Sequence, residues 1–110
     1  MKAVATLYCG SVLRGEALVT RGGDALPPRR DLRNHSPTGY SWGYGGSGPS
    51  QLSLAILADF LEDDARALQL YQPYKWRVIA QLPQDRGFRI TGAEIADVVA
   101  VLEQEMRSRT

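Results

Sequence analysis

The residues best suited to chemistry lie in one glycine-rich loop with aromatic side chains, His35 to Gln51. Its glycines allow the backbone to approach a partner closely, its hydroxyls donate and accept hydrogen bonds, and its rings offer flat apolar faces. We therefore predict that this loop is the functional surface. The candidate ligand-binding residues are Arg33, His35, Ser36, Thr38, Tyr40, Trp42, Tyr44, Gly45, Gly46, Ser47, Gly48, Ser50 and Gln51.

The last part of the loop, Gly45 to Gln51, runs directly into a predicted helix. Free N–H groups and the positive end of the helix dipole meet at such a junction, where they stabilise a phosphate or carboxylate. No lysine follows the glycines as in a Walker A loop, and no G-x-G-x-x-G follows a strand. A structural turn with a helix cap has the same composition, so both interpretations stay open.

Tyr40, Trp42 and Tyr44 alternate along the loop. In an extended segment their rings would lie on one side, where they could stack on a base or sugar. The alternative is that the rings cover the core beside the helix, since large aromatic side chains are usually well buried.

Several cations could complete an anion site. Arg29, Arg30 and Arg33 lead into the loop, and guanidinium groups bind phosphate or carboxylate through two hydrogen bonds. Lys75 and Arg77 could join them. The alternative is a solvated basic surface.

His35 is the only histidine, so any catalytic residue acting as a general base would be His35, and a small hydrolase is one hypothesis. The neighbouring Ser36 lies in no G-x-S-x-G turn, and adjacency in sequence does not orient a nucleophile. A structural role for His35 is the alternative.

No metal site and no cofactor are predicted. Cys9 is the only cysteine, which excludes both an intramolecular disulfide and a cysteine-based zinc cluster. Glu62, Asp63 and Asp64 are consecutive, so on a helix their side chains would point in different directions. A loop or helix-capping role is favoured for them.

Composition limits the class of protein. The length of 110 residues with 44% apolar content predicts a single domain over residues 1–110. Thirteen basic residues against twelve acidic ones give a weak overall field, which disfavours nucleic acid as a partner. Neither a signal peptide nor a membrane span is expected, so we predict a cytoplasmic protein, and a homodimer remains open.

The predicted fold class is α+β. An N-terminal hairpin is expected from Lys2 to Tyr8 and from Glu16 to Arg21, with Gly10 and Gly15 bracketing the link. A third extended piece could lie near Ala25 and Leu26, and Pro27 and Pro28 would end regular structure there.

A central buried helix is predicted next, with Pro49 as its first helical residue. A second helix over Ala65 to Gln72 would end or kink at Pro73, and Tyr74 to Leu82 favours helix over strand.

The closing elements are a short extended piece over Gly87 to Ile90, joining the sheet of the hairpin, and a C-terminal amphipathic helix. A capping box of Thr91 and Glu94 should begin that helix. Its predicted apolar face consists of Ile95, Val98, Val99, Leu102 and Met106. The small antiparallel sheet is expected to pack on the central and C-terminal helices.

The segments Leu32 to Tyr40 and Trp42 to Leu52, reading LRNHSPTGY and WGYGGSGPSQL, carry a family resemblance. The chain resembles short proteins of unknown function that are common in bacteriophages, plasmids and other bacterial mobile elements. The resemblance extends to Tyr71 to Leu82 and to Thr91 to Ile95. It implies a setting in a bacterial host, in which small proteins often block host defence.

Three functional hypotheses follow. The first is a non-enzymatic binding protein that holds a small anionic, phosphorylated, nucleotide-like ligand at the loop. The second is a protein–protein inhibitor of a host defence complex, similar to an anti-CRISPR protein, which uses the same aromatic loop. The third is the hydrolase centred on His35.

Overall fold

The computed structural model describes residues 1–109, in which a four-stranded antiparallel sheet lies beside three helices. The strands are β1 (Leu7–Leu13), β2 (Glu16–Arg21), β3 (Asp24–Ala25) and β4 (Phe88–Thr91), in the order β3-β2-β1-β4. The helices are α1 (Ser47–Leu61), α2 (Asp64–Arg77) and α3 (Gly92–Ser108), and a 3-10 turn spans Ile79–Gln81. The predicted α+β class, the hairpin and the late strand beside it are confirmed.

The hairpin link is shorter than predicted. Leu13 pairs with Glu16, and only Arg14 (φ 53°) and Gly15 (φ 81°) lie between them. Two consecutive positive φ angles form the tight turn that suits the twist of a hairpin. Gly10 does not bracket the link but lies inside β1, where it pairs with Phe88 of β4. The ring of Phe88 occupies the space that a β-carbon would fill, so this position requires glycine.

The first strand also begins later than predicted, at Leu7 instead of Lys2. The segment before it crosses the end of α1, where the Lys2 amide donates to the Phe60 carbonyl at 2.7 Å. The Thr6 amide then closes a turn onto the Ala3 carbonyl at 3.0 Å. Contacts with distant residues therefore override the strand propensity of these residues.

Helix α1 is the centre of the core, as predicted, and it is buried over nearly its whole length. Its start was predicted two residues too late, since the N-cap is Gly46 and Pro49 is the third helical residue. Proline is tolerated there because the first N–H groups of a helix have no partner within the helix. One apolar cluster joins α1 to Tyr8, Val19 and other residues of the sheet.

Pro73 does not end α2, which was one of the two outcomes predicted for it, and the helix continues to Arg77. The residues after the proline, Tyr74 and Lys75, are buried, and this packing holds the last turn in place. The prediction of helix beyond Pro73 is thus confirmed to Arg77, and the 3-10 turn extends it. Asp63 caps α2 by accepting the Arg66 amide at 3.1 Å, in line with the capping role expected of the acidic run.

The predicted capping box of α3 is confirmed. The Thr91 hydroxyl accepts the Glu94 amide at 3.2 Å, and the Glu94 carboxylate accepts the Thr91 amide at 3.1 Å. Ile95, Val99 and Leu102 are buried on one face, whereas Met106 at the far end is exposed. No helix within residues 1–109 is long and apolar enough to cross a membrane.

One carboxylate ties the sheet to α1. Asp59 accepts a hydrogen bond from the Tyr8 hydroxyl at 2.5 Å, and it also lies 2.9 Å from the Arg21 guanidinium and 3.9 Å from the Lys2 ammonium. Burial, followed by the bond to Asp59, raises the pKa of the Tyr8 phenol, which therefore stays protonated and donating. Asp59 thus links β1, β2 and α1.

Replacing Asp59 by alanine should lower the free energy of unfolding by about 2 to 4 kcal/mol, because the buried Tyr8 hydroxyl loses its acceptor. Asp59→Asn retains an acceptor and should lose about half as much. Urea denaturation measures both, with the exposed Asp97→Ala as control. A loss with Asp59→Ala no larger than with Asp97→Ala would disprove this role.

Candidate functional site

The predicted loop is organised around the side chain of Gln51, which is fully buried in α1. Its oxygen accepts the amides of His35 at 2.7 Å and Ser36 at 3.2 Å. Its nitrogen donates to the carbonyls of Pro28 at 2.6 Å and Arg33 at 3.1 Å. The four hydrogen bonds use the full capacity of the amide. Gln51 therefore holds the loop and has no hydrogen-bonding capacity left for a ligand.

His35 is anchored to α2. Its Nε2 lies 2.7 Å from the Tyr71 hydroxyl, and the two rings are 5.5 Å apart between centroids. The neighbouring Ser36 is buried, and its carbonyl accepts the Arg30 guanidinium at 3.1 Å. The structure thus places a tyrosine beside His35, a partner that the sequence analysis did not identify. Thr38 is exposed.

The three alternating rings do not form one row. Gly43 (φ 89°) turns the chain between Trp42 and Tyr44, so this part of the loop is not extended. Trp42 is only 2% exposed, packs edge-on against Phe88 at 4.9 Å and donates to the Arg86 carbonyl. Trp42 therefore belongs to the core.

The other two rings also differ in their surroundings. Tyr40 donates its hydroxyl to the Leu26 carbonyl at 2.8 Å, and burial raises the pKa of its phenol. Tyr44 is 43% exposed, with its hydroxyl 2.8 Å from that of Ser41. Of the three predicted rings, Tyr44 is the one best placed to offer a face to a ligand.

The glycines before α1 lie against side chains of the protein itself. A β-carbon on Gly45 would stand 2.0 Å from the ring of Trp76, and one on Gly46 would stand 2.4 Å from the ring of Tyr44. Gly48 is covered in the same way by the Ser41 hydroxyl. Two exposed rings therefore flank the Gly45–Gly46 turn, and Gly48, Pro49 and Ser50 of the first helical turn are buried.

Lys75 lies beneath this turn and is only 5% exposed. Its ammonium donates to the Gly45 carbonyl at 3.4 Å and the Ser50 hydroxyl at 3.2 Å, and it lies 4.4 Å from the centre of the Trp76 ring. Within residues 1–109 no carboxylate forms an ion pair with it. We call Tyr44, Gly45, Gly46, Lys75 and Trp76 the Lys75 site.

The start of α1 adds to the positive character of this site. The first turn of the helix contains no acidic residue, and no side chain caps Gly46 within the described chain. The positive end of the helix dipole and a buried ammonium therefore lie close together, without an opposing charge. Such an arrangement is suited to an anion.

The other predicted cations are engaged elsewhere. Arg29 binds both Asp31 and Asp64, which raises the pKa of its guanidinium, and Arg77 binds Glu105 at 2.8 Å. Arg33 is exposed and donates to the Leu32 carbonyl. Of the cations considered, Lys75 is the one seen in contact with the glycine turn. No group of His, Cys, Asp or Glu side chains suited to a metal ion occurs in residues 1–109.

Fold and site together define a small α+β protein in which a glycine turn covers a buried cation. Comparison of sequences places it further: the chain belongs to a family of unknown function, DUF6166, whose pattern matches residues 8–101. No curated protein and no solved structure is significantly similar to the chain.

Replacing Gln51 by leucine should lower the free energy of unfolding by about 2 to 4 kcal/mol, because four loop backbone groups lose their partner. Gln51→Glu has nearly the same shape but lacks the two N–H donors, so it should also destabilise. Chemical denaturation measures the loss, with the exposed Gln69→Leu as the matched control. If Gln51→Leu were as stable as Gln69→Leu, the loop would not depend on this amide.

Proposed function

We propose that this protein is a non-enzymatic binding protein that holds a small phosphorylated, nucleotide-like ligand at the Lys75 site. The anionic group of the ligand would lie beside Lys75 and the first turn of α1. The observation that supports this most directly is the burial of the Lys75 ammonium without a carboxylate partner.

The energetics favour an anion at this position. Removing an ammonium from water is costly, and buried charges are therefore normally paired. Lys75 has a carbonyl, a hydroxyl and an aromatic ring as neighbours, which together offset only part of that cost. A phosphate would supply the missing charge and would also be stabilised by the dipole of α1.

The flanking rings favour a ligand that also carries a planar group. Trp76 is 57% exposed and Tyr44 is 43% exposed, and both border the Gly45–Gly46 turn. Exposed aromatic faces can stack on the flat face of any nucleotide base, whatever its identity. A net charge of +1 gives the chain only a weak overall field, which favours a small ligand over a nucleic acid polymer.

The biological setting that we propose is counter-defence in the cytoplasm of a bacterial host. The resemblance to proteins of bacteriophages, plasmids and other mobile elements motivates this part. A protein of this size would act by sequestering a nucleotide signal, since binding alone lowers the free concentration of that signal.

A second candidate function is the inhibition of a host defence complex by direct contact. Val12, Leu13 and Leu18 are exposed apolar residues near the end of the hairpin. A groove of about 280 Å³ lies beside Val12 and is also lined by Tyr40, Ser41, Trp42 and Tyr44. Because Trp42 is buried, Tyr44→Ala is the informative variant, and loss of a stoichiometric host protein from a pull-down with Tyr44→Ala would favour this candidate.

A hydrolase centred on His35 has less support. His35 contacts the hydroxyl of Tyr71, which is buried, and the adjacent Ser36 is also buried. Neither hydroxyl is therefore an exposed nucleophile. Turnover of an ester or phosphoester that is abolished by His35→Ala would be needed to support this hypothesis.

Replacing Lys75 by methionine should weaken ligand binding by about ten- to a hundredfold, since charge-assisted hydrogen bonds to the phosphate are lost. In the free protein the same change should leave stability unchanged or raise it by about 1 kcal/mol, because an unpaired buried charge is removed. Calorimetry against a panel of cyclic and ADP-ribose-type nucleotides measures the first effect, and thermal denaturation measures the second.

The matched control is Lys2→Met, which removes the only other lysine. Lys2 lies near Glu62, at 3.4 Å, and should not affect binding. The proposal fails if no phosphorylated compound of the panel binds the unaltered protein, or if Lys75→Met binds as tightly as Lys2→Met.

A further inference from the structure

A hollow near the Lys75 site lies between α2 and the end of α3 and has a volume of about 410 Å³. Trp76, Gln81, Leu102 and the Arg77–Glu105 pair contribute to its walls. This volume lies within the range of pockets that bind small molecules, roughly 300 to 1,000 Å³. The hollow is thus large enough for a planar heterocycle.

Trp76 belongs to both the hollow and the Lys75 site. The edge of its indole lies against Gly45, and the Lys75 ammonium is 4.4 Å from its centre. The same ring is 57% exposed and lines the hollow. The Trp76 ring therefore contacts the buried cation and also contributes to the wall of the hollow.

The charges in the hollow and at the Lys75 site indicate which part of a ligand would bind at each of them. In the hollow, Arg77 donates to both carboxylate oxygens of Glu105, at 2.8 and 3.0 Å, so these charges neutralise each other. Arg109 is exposed at the rim, where solvent screens it. At the Lys75 site the cation is buried and hydrogen-bonded to a carbonyl and a hydroxyl, and no carboxylate within residues 1–109 pairs with it. A neutral ring fits the hollow, and a phosphate fits the Lys75 site.

Gln81 could distinguish between rings. Its nitrogen donates to the Trp76 carbonyl at 3.3 Å, which orients the amide and leaves its oxygen as an acceptor at the wall of the hollow. An amino group on a heterocycle would donate to that oxygen.

Resting on the proposed function, we infer that the ligand is a nucleoside phosphate whose base stacks on Trp76 in the hollow between α2 and α3 while its phosphate lies at Lys75. The sugar would connect the two, passing along the Trp76 side chain that they share. Trp76 is then a binding residue, and Gln81 is a specificity-determining residue for bases that carry an amino group.

The test compares ribose phosphate with adenosine, guanosine, cytidine and uridine monophosphates by calorimetry. Stacking predicts that the nucleotides bind more tightly than ribose phosphate, by about five- to a hundredfold. Trp76→Ala should reduce the nucleotides to the level of ribose phosphate, whereas Trp76→Phe should retain most of the difference. Gln81→Ala should weaken adenosine, guanosine and cytidine monophosphates more than uridine monophosphate, which has no amino group.

Fluorescence gives a second readout in the unaltered protein. Trp42 is buried, so quenching by a bound nucleotide should come from Trp76, and it should be absent in Trp76→Phe. If ribose phosphate and the nucleotides bind equally and fluorescence is unchanged, this inference is overturned while the proposed function stands. If neither ribose phosphate nor any nucleotide binds, both fail.

Discussion

The order of the loop depends on one buried amide. Between Leu26 and Gly46 the chain forms neither helix nor strand, so its backbone groups find few partners in regular structure. Gln51 provides four of these partners from a fixed position in the core, because α1 is buried around it. A long segment can therefore hold a defined path without secondary structure of its own. The hydrogen bonds to Gln51 offset part of the conformational entropy that is lost when this segment is ordered.

This constraint and the Lys75 site are adjacent on α1. Ser50, which accepts the Lys75 ammonium, directly precedes Gln51, and the two side chains project in different directions from the helix. Gln51 holds the segment from Pro28 to Ser36, and Ser50 faces α2. Tyr71 and Lys75 lie one turn apart on α2, so the same helix contacts His35 at the early part of the loop and Gly45 at its end. The position of the glycine turn is consequently fixed from both helices.

Local signals in the sequence predicted the elements that depend on neighbouring residues. The capping box at Thr91 and Glu94 needs only residues three apart, and it was predicted correctly. The start of α1 was missed because the preference of proline for the first helical position competed with an N-cap at Gly46. The burial of Trp42 away from Tyr44 could not be predicted from their alternation, because a single positive φ at Gly43 separates them. The pairing of Lys75 with the glycine turn required the packing of α2 on α1, which no local pattern specifies.

Lys75 differs from the paired cations of the molecule. Arg21, Arg29, Arg66 and Arg77 each lie within ion-pair distance of a carboxylate, and solvent reaches these pairs. Lys75 as a residue is more deeply buried than these arginines, and its ammonium lies at the positive end of a helix. An apolar side chain of similar length would fill this space at lower electrostatic cost. Functional sites are commonly less stable than the same fold could make them, because binding groups must remain unsatisfied until the ligand arrives. Lys75, buried without a carboxylate partner within residues 1–109, lies where a glycine turn, two exposed rings and a helix start converge, and a bound anion would stabilise its charge.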